Sequence, residues 1–269
     1  MLLARGHLMR ALSRHLRLAV VSACIIAGGS AAMADRSVCT NGDGQHIRKV
    51  CFDTFAGAAV YGHGVLGDTP EWNELTVFWG PKGRQRTDGL RGSSTFNQPR
   101  HIFEDVAPRI TDLNGDGIPE IIVVQSSFDQ GGRLMVLDTQ AGLRPVTTPY
   151  IGRRNRWLAP IGAADLDGDG YVEIAYIDRP HLAKTLRVWR FKEGGLTEIA
   201  TLQGLSNHRI GEADIGGGIR TCSGKPEMVV ASGDWQSVMV VGFQGNQLIA
   251  KDVGKHTGRD SLNAALACK

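Results

Sequence analysis

The chain has 269 residues, of which 42% are apolar and 35 are glycine, a composition that suits one large all-β domain or two small ones. Its formal net charge is +3 at pH 7. The first 34 residues carry four arginines and no acid, so without them Lys plus Arg falls from 30 to 26 against 27 Asp plus Glu. A mature chain near −1 lacks the basic surface that nucleic-acid binding needs, and we expect no nucleic-acid partner.

The first 34 residues have the organisation of a secretory signal peptide. Their arginines precede a short apolar run at residues 18–27, and Ala32-Met33-Ala34 gives a small-residue cleavage pattern. Because this run is too short to span a membrane, we expect cleavage after Ala34 and a periplasmic or extracellular mature chain with no transmembrane segment. Two alternatives stay open, namely a frayed N-terminal helix and lipidation at Cys24.

Cysteine usage agrees with export, because four cysteines remain after cleavage and an even number suits an oxidising compartment. Three pairings are open. We favour Cys39 with Cys51, which are close in sequence, and Cys222 with Cys268, which would tie the C-terminal tail to the last repeat. A four-thiolate zinc site is the rival interpretation, although no Cys-x-x-Cys pair occurs.

Acidic loops mark an internal repeat of about 50 residues. Asp112 and Asp165 open two full loops, and we take Asp53 and Asp214 as the corresponding marks of two further units. The predicted repeats lie near residues 46–105, 106–156, 157–206 and 207–255, followed by a tail at 256–269.

Each repeat is predicted to contain four short strands bounded by Gly, Asn and Asp turns. The strand after each mark is predicted at residues 58–61, 121–124, 174–177 and 228–231, and the next strand at 75–79, 134–137, 186–191 and 238–243. Outer strands are predicted at 144–148, 196–202 and 247–253, strands leading into a loop at 157–165 and 208–214, and a helix at 261–267. We therefore expect one all-β domain over residues 35–269, a small β-propeller of four four-stranded blades to which the termini can add part of a fifth.

The two full loops place oxygen side chains at positions 1, 3, 5 and 9, with glycine at position 6. Alternating Asp and Asn side chains on a tight turn converge on one centre, as the hard cation calcium requires, and magnesium fits less well because it demands stricter octahedral geometry. The first predicted site consists of Asp112, Asn114, Asp116, Glu120 and the carbonyl of Ile118. The second consists of Asp165, Asp167, Asp169, Glu173 and the carbonyl of Tyr171. We predict two structural calcium ions and none at Asp53 or Asp214, whose loops lack these oxygens.

Residues 112–124 and 165–176 resemble FG-GAP/VCBS repeats, the calcium-loop blades of integrin-alpha-type propellers and of many secreted bacterial proteins. The resemblance implies a propeller with calcium in the loop between the first two strands of a blade. It covers residues 107–190 well, whereas the flanking units depend on strand spacing alone. The chain has too few repeats for the large integrin-type ring, and the family serves adhesion, carbohydrate binding and a few hydrolases or lyases.

No catalytic residues are predicted, because no nucleophile elbow, His-Glu-x-x-His helix or phosphate loop occurs and the six histidines after residue 34 are scattered over different repeats. We expect a monomeric binding or adhesion module for a carbohydrate or an envelope partner. A polysaccharide-active hydrolase or lyase on the same scaffold is the alternative, and a purely structural envelope protein is the third interpretation.

Arginines next to tryptophans suggest where a ligand would bind, because guanidinium groups suit carboxylates and sulfates. The first candidate is the segment 153–157, which contains Arg153, Arg154, Arg156 and Trp157. Five more arginines precede the first calcium loop: Arg84, Arg86, Arg91, Arg100 and Arg109. Trp72 and Trp235 lie beside predicted turns and are the candidates for surface stacking, whereas Trp79 and Trp189 occupy equivalent strands and are predicted to lie in the core.

Overall fold

The structure, a computed structural model, describes residues 37–53, 61–67, 72–83, 92–245 and 247–269. The predicted signal peptide, Cys24 and most of the strand at 58–61 lie outside these residues, as do Arg84, Arg86 and Arg91. Contacts group residues 35–269 into one unit. Among the described residues no helix is long and apolar enough to cross a membrane.

Four antiparallel sheets follow one another along the chain, so the all-β prediction is confirmed. Sheet A contains β1 (Val38–Asn41), β2 (Ile47–Asp53), β3 (Glu74–Trp79) and β4 (Ser93–Phe96), paired in this order. Sheet B contains β5 (His101–Phe103), β6 (Arg109–Thr111), β7 (Glu120–Ser127), β8 (Gly131–Asp138) and β9 (Arg144–Thr147). Its first strand is divided, because β5 and β6 both pair with β7.

The last two sheets repeat this plan. Sheet C contains β10 (Leu158–Ala164), β11 (Glu173–Asp178), β12 (Thr185–Lys192) and β13 (Gly195–Gln203). Sheet D contains β14 (Leu205–Ser206), β15 (Gly218–Arg220), β16 (Glu227–Ser232), β17 (Ser237–Gln244) and β18 (Gln247–Lys255), and it is followed by α1 (Arg259–Leu266). As in sheet B, β14 and β15 share one partner, β16.

The sheets pack face to face in chain order, since alternate side chains of a strand point to opposite faces. In β7, Ile121 and Val123 belong to the core shared with sheet A, whereas Ile122 and Val124 belong to the core shared with sheet C. Sheet C meets sheet D in the same way, through Ala175 and others. The middle sheets are thus buried on both faces, which explains why β7 and β11 are nearly continuous apolar runs.

Helix α1 packs on the face of sheet D that points away from sheet C. Leu262 and Ala265 contact Val229, Val238 and Val240 there. The helix begins two residues before the predicted start and ends one residue before the predicted end. Without the helix these three valines would be exposed to water, and with it they are nearly fully buried. The apolar character of this sheet face therefore explains why the helix packs there.

Both favoured disulfides are present. Cys39 and Cys51 are directly paired residues of β1 and β2, so their bond joins neighbouring strands. Cys222 precedes β16 and bonds to Cys268, just after α1. The second disulfide therefore attaches the helix end to sheet D.

The structure corrects the register of the first and last repeats. Asp53 ends β2 instead of preceding it, and the loop before β2 is 42–46. The predicted strand at 208–214 is a turn, because the His208 ring bonds the Glu212 carbonyl and the chain leaves the sheet. The loop before β16 is 221–226, so Asp214 is not a repeat mark. Neither the loop 42–46 nor the loop 221–226 has the alternating acidic residues. Asp53 and Asp214, the nearest aspartates, therefore gave the wrong repeat positions.

The loops divide between two ends of the sheets. The segments 112–119 and 165–172 join a first strand to a second strand, and we call their side the metal-loop end. Antiparallel strands reverse direction at each turn, so the next connections and the linkers between sheets lie at the opposite side, here called the linker end. The linker end includes residues 61–67, 97–100, 128–130, 148–157, 179–184 and 233–236.

Candidate functional site

Backbone donors organise the first metal loop around its acidic side chains. Asp112 accepts N–H bonds from Gly115 at 2.8 Å and from Gly117 at 2.9 Å. Asn114 accepts from the Asp116 N–H at 2.9 Å, and Asp116 accepts from the Ile118 N–H at 2.7 Å. Gly117 has a φ of 83°, a conformation that explains the glycine at position 6. The predicted ligands thus line one tight turn.

The second loop has the same framework. Asp165 accepts N–H bonds from Gly168 at 2.7 Å and Gly170 at 3.0 Å, and Asp169 accepts from the Tyr171 N–H at 3.0 Å. Carboxylate oxygens of Asp165, Asp167 and Glu173 lie within 4.8 Å of one another. The structure therefore brings these predicted ligands together, while the carbonyls of Ile118 and Tyr171 remain predicted ligands at position 7.

The glutamates at position 9 close both loops. Glu120 Oε2 accepts the Leu113 N–H and Glu173 Oε2 accepts the Leu166 N–H, each at 2.9 Å. Glu120 is 1% exposed, and burial together with Asp116, Asp112 and Asp138 raises its pKa to about 7. Burial also raises the pKa of Glu173. A buried carboxylate among other acids is stabilised by a cation, and a donor set made only of oxygen favours calcium over zinc or copper.

The loops of the outer sheets are built differently. In the loop 42–46, Asp43 accepts the N–H groups of Gln45, His46 and Ile47 at 2.8–3.0 Å and contacts the His46 ring. In the loop 221–226 the side chain of Cys222 is used in a disulfide. The four-oxygen pattern is therefore a property of sheets B and C.

A partly buried network of histidine, glutamate and tryptophan lies at the linker end, and sequence reasoning missed it. His63 Nδ1 lies 2.5 Å from Glu104 Oε1, and the Trp157 indole N–H donates to the Glu104 carbonyl at 2.6 Å. The Trp157 ring is 4.8 Å from the His208 ring, and His208 bonds to His181. These residues come from the segment 61–67 and from sheets B, C and D. No local sequence motif therefore predicts that they form one network.

The hydrogen bonds assign the tautomers of the histidine pair. His208 Nε2 lies 2.8 Å from the Glu212 carbonyl and must donate to it. His208 Nδ1 is then the acceptor of the His181 Nε2–H bond at 3.0 Å. Burial lowers the pKa of His208 and, with His208 as neighbour, lowers that of His181 to about 4. Both imidazoles are therefore neutral at pH 7.

Acidification is expected to destabilise the fold through His181. The folded-state pKa is about 4 against 6.5 for a free histidine, so its contribution is complete above pH 6.5 and is lost as the pH falls towards 4. His181→Gln keeps a donor for His208 but cannot ionise. Urea unfolding at pH 7.5 and pH 5 should therefore show a smaller pH dependence in His181→Gln than in the wild type. Equal pH dependence would contradict this assignment.

The structure changes the interpretation of the arginine–tryptophan segment 153–157. Trp157 is 2% exposed and belongs to the core. Arg154 donates to the Tyr61 carbonyl at 2.8 Å and lies over the Tyr61 ring at 5.3 Å. The segment thus braces residues 61–67, and only Arg153 and Arg154 are exposed within it.

The structure corrects some of the predicted tryptophan positions and confirms others. Trp72 is 2% exposed, so its predicted surface position is wrong; it bridges to Phe103 in the core shared by sheets A and B. Trp235 is half-buried, with Arg209 over its ring at 4.4 Å and His256 at its edge. Trp79 and Trp189 are each 8% exposed, which confirms their predicted core positions.

Two exposed apolar side chains mark the linker end of sheets C and D. Leu182 is 62% exposed and Ile210 is 72% exposed, the highest values among the exposed large hydrophobic residues of the described chain. They follow His181 and His208, whose rings are hydrogen-bonded, so both lie near this pair. Arg179, Lys184 and Trp235 nearby have positive φ angles of 46°, 48° and 62°. Backbone strain of this kind concentrates at functional surfaces.

One comparison with known proteins covers both of these acidic loops. The matching stretch begins at Asp112, the first predicted ligand of the first loop, and ends in β11, so it contains both loops. Residues 112–176 match the FG-GAP-like repeat family. The FG-GAP-like repeat spans less than half of the chain, and it agrees with the resemblance seen in the sequence. A search of curated proteins found no match.

Proposed function

We propose that the protein is a calcium-braced, propeller-like stack of four blades, with α1 covering the outer face of the last blade, and that it acts as a binding module in the periplasm or outside the cell. The stacking of four antiparallel sheets in chain order, with an FG-GAP-like repeat across the two middle sheets, carries this proposal. Each sheet would be one blade. Two disulfides and the N-terminal sequence support an oxidising compartment.

Calcium has a structural role in this proposal. The five predicted oxygen donors of each loop would hold one ion, and the ion would neutralise the carboxylates that the turn brings together. Both loops lie at the metal-loop end, away from Leu182 and Ile210. Calcium would therefore hold the turns of sheets B and C in place without touching the ligand.

We place the ligand-binding surface at the linker end and favour a protein partner. Leu182 and Ile210 offer apolar contacts of a kind that marks protein interfaces. Exposed arginines also lie at the linker end, at Arg100, Arg153 and Arg154, and Arg209 directly precedes Ile210. A partner with an apolar anchor and acidic groups around it would complement this surface.

A capture experiment with matched variants tests this surface. Leu182→Asp and Ile210→Asp should each reduce partner retention from envelope or culture-fluid extracts at least tenfold, because apolar anchors dominate binding energy. Ile249→Asp is the control, since Ile249 is 50% exposed on β18, an outer strand. A protein that is retained equally by all three variants does not bind at this surface. If no protein depends on Leu182 or Ile210, the proposal of a protein partner is wrong.

A carbohydrate ligand is the second candidate, and a cleft of about 190 Å³ favours it. Tyr150, Tyr176 and Trp189 line the cleft, the last two largely buried, and Asp178 contributes a carboxylate that Arg179 and Arg187 hold at 2.8–2.9 Å. Alternating donors and acceptors beside aromatic rings suit a sugar. Retention on a glycan array without turnover would support this candidate, whereas new reducing ends or unsaturated products would show a hydrolase or lyase.

A further inference from the structure

The two metal loops differ at the strand that faces their closing glutamate. Glu173 is paired with Arg190 of β12. In sheet B the pairing of Ile121 with Leu137 places Asp138 in the same position opposite Glu120. Equivalent positions of two similar loops thus carry opposite charges.

Arg190 contacts most of the carboxylates of the second loop. Its Nη2 lies 2.5 Å from Asp167 Oδ2, and its Nη1 lies 2.9 Å from Asp169 Oδ2. Its Nε donates to Glu173 Oε1 at 2.8 Å, the oxygen that the Leu166 N–H leaves free. Glu173 is fully buried, so this bond stabilises a charge that water cannot reach. Three of the four acidic ligands therefore already share a cation.

The first loop has no such neighbour among the described residues. Asp138 is paired with Arg144 at 2.9 Å, but that arginine is half exposed and none of its described ion pairs involves Asp112, Asp116 or Glu120. Asp138 instead adds to the negative potential at Glu120. The first loop has Asn114 where the second has Asp167, so the charge of Arg190 balances the one additional carboxylate of the second loop. The loops differ in contact, because Arg190 touches three carboxylates of the second loop directly, whereas the acid Asp138 lies opposite Glu120 in the first.

We propose that Arg190 is a built-in counter-ion that holds the second loop together without metal and makes its calcium affinity lower than that of the first loop. The inference depends on the proposed calcium binding. Calcium at the second loop must displace a guanidinium from three carboxylates, or bind beside its positive charge, and both weaken binding. At the first loop no described cation contacts the predicted ligands, and the nearest arginine, Arg144, is paired with Asp138 instead. The first loop should therefore fill at lower calcium concentration.

Terbium luminescence can report on the second loop alone. Terbium takes the same oxygen ligands as calcium, and Tyr171 at position 7 is close enough to sensitise its emission, whereas position 7 of the first loop is Ile118. In wild-type protein, sensitised emission should rise only after a first equivalent has bound silently. Arg190→Gln should raise the affinity measured by emission roughly tenfold or more, since one positive charge near the ion is removed. Arg190→Lys should be intermediate, because a single ammonium group cannot contact three carboxylates.

Arg187→Gln is the matched control, because Arg187 lies on the same strand and pairs with Asp178 and Glu198 instead of the loop. It should leave the emission curve unchanged. Tyr171→Leu should abolish the emission while calorimetry still shows two calcium ions. Equal affinities of both loops, or an unchanged affinity in Arg190→Gln and Arg190→Lys, would overturn the role of Arg190 and leave calcium binding intact. If calorimetry detects no calcium at either loop, the calcium proposal itself is wrong.

Discussion

Removal of calcium is expected to lower the melting temperature by roughly 5–10 °C for each occupied loop. At free calcium a hundredfold above the dissociation constant, each ion stabilises the folded state by about 2.7 kcal/mol. A domain of this size changes its melting temperature by about 2–4 °C per kcal/mol. Differential scanning calorimetry with and without EGTA measures this directly.

Single substitutions divide the calcium effect between the loops. Asp116→Ala and Asp167→Ala should each reduce the calcium bound per chain by one ion and remove the corresponding part of the thermal shift. Asp129→Ala provides the control, because this aspartate is 67% exposed and lies at the linker end. A melting curve that calcium and EGTA leave unchanged in the wild type would contradict a structural metal.

The second large effect is expected from detaching helix α1. Replacing Cys222 and Cys268 by alanine removes a crosslink between residues 46 apart in sequence, worth roughly 4 kcal/mol by loop-closure entropy. Leu262→Ala alone should cost about 2–5 kcal/mol, since Leu262 is 1% exposed against the valines of sheet D. Urea unfolding should show both losses, with increased binding of an apolar dye if the helix detaches.

The first disulfide serves as the comparison. Cys39 and Cys51 are only 12 residues apart, and ladder hydrogen bonds already join their strands. The Cys39→Ala/Cys51→Ala double variant should therefore lose less stability, roughly 3 kcal/mol or below. A greater loss here than at Cys222 and Cys268 would contradict the role given to α1.

The inner strands of the fold could be read from the sequence, because burial on two faces leaves a strong signal. Apolar runs such as 121–124 and 186–191 lie within β7 and β12, close to their predicted bounds. The predicted repeat positions at Asp53 and Asp214 were wrong, because the corresponding loops of the first and last sheets lack the acidic pattern. An acidic loop therefore locates a repeat only in the sheets whose loops have the full set of oxygen side chains.

The candidate sites also differ in how far the sequence alone could predict them. The predicted metal ligands are neighbours in sequence, and their spacing predicted that Asp165, Asp167 and Glu173 of the second loop come together. The network of His63, Glu104 and His208 is assembled from distant segments, and only packing of the sheets reveals it. The prediction of a binding surface at Trp157 was wrong, because a tryptophan beside arginines is typical of such a surface whereas the Trp157 ring lies in the core.

Helix α1 has a consequence for the order in which the chain matures. It follows all four sheets in the sequence, so sheet D is synthesised before the element that covers its valines. Cys39 and Cys51 can join as soon as β1 and β2 pair, whereas Cys222 cannot form its native bond until Cys268 has been synthesised. Oxidation should therefore run from the N-terminal sheet to the C-terminal helix, and the interval before the last bond closes is when the nascent protein is most exposed to mispaired cysteines.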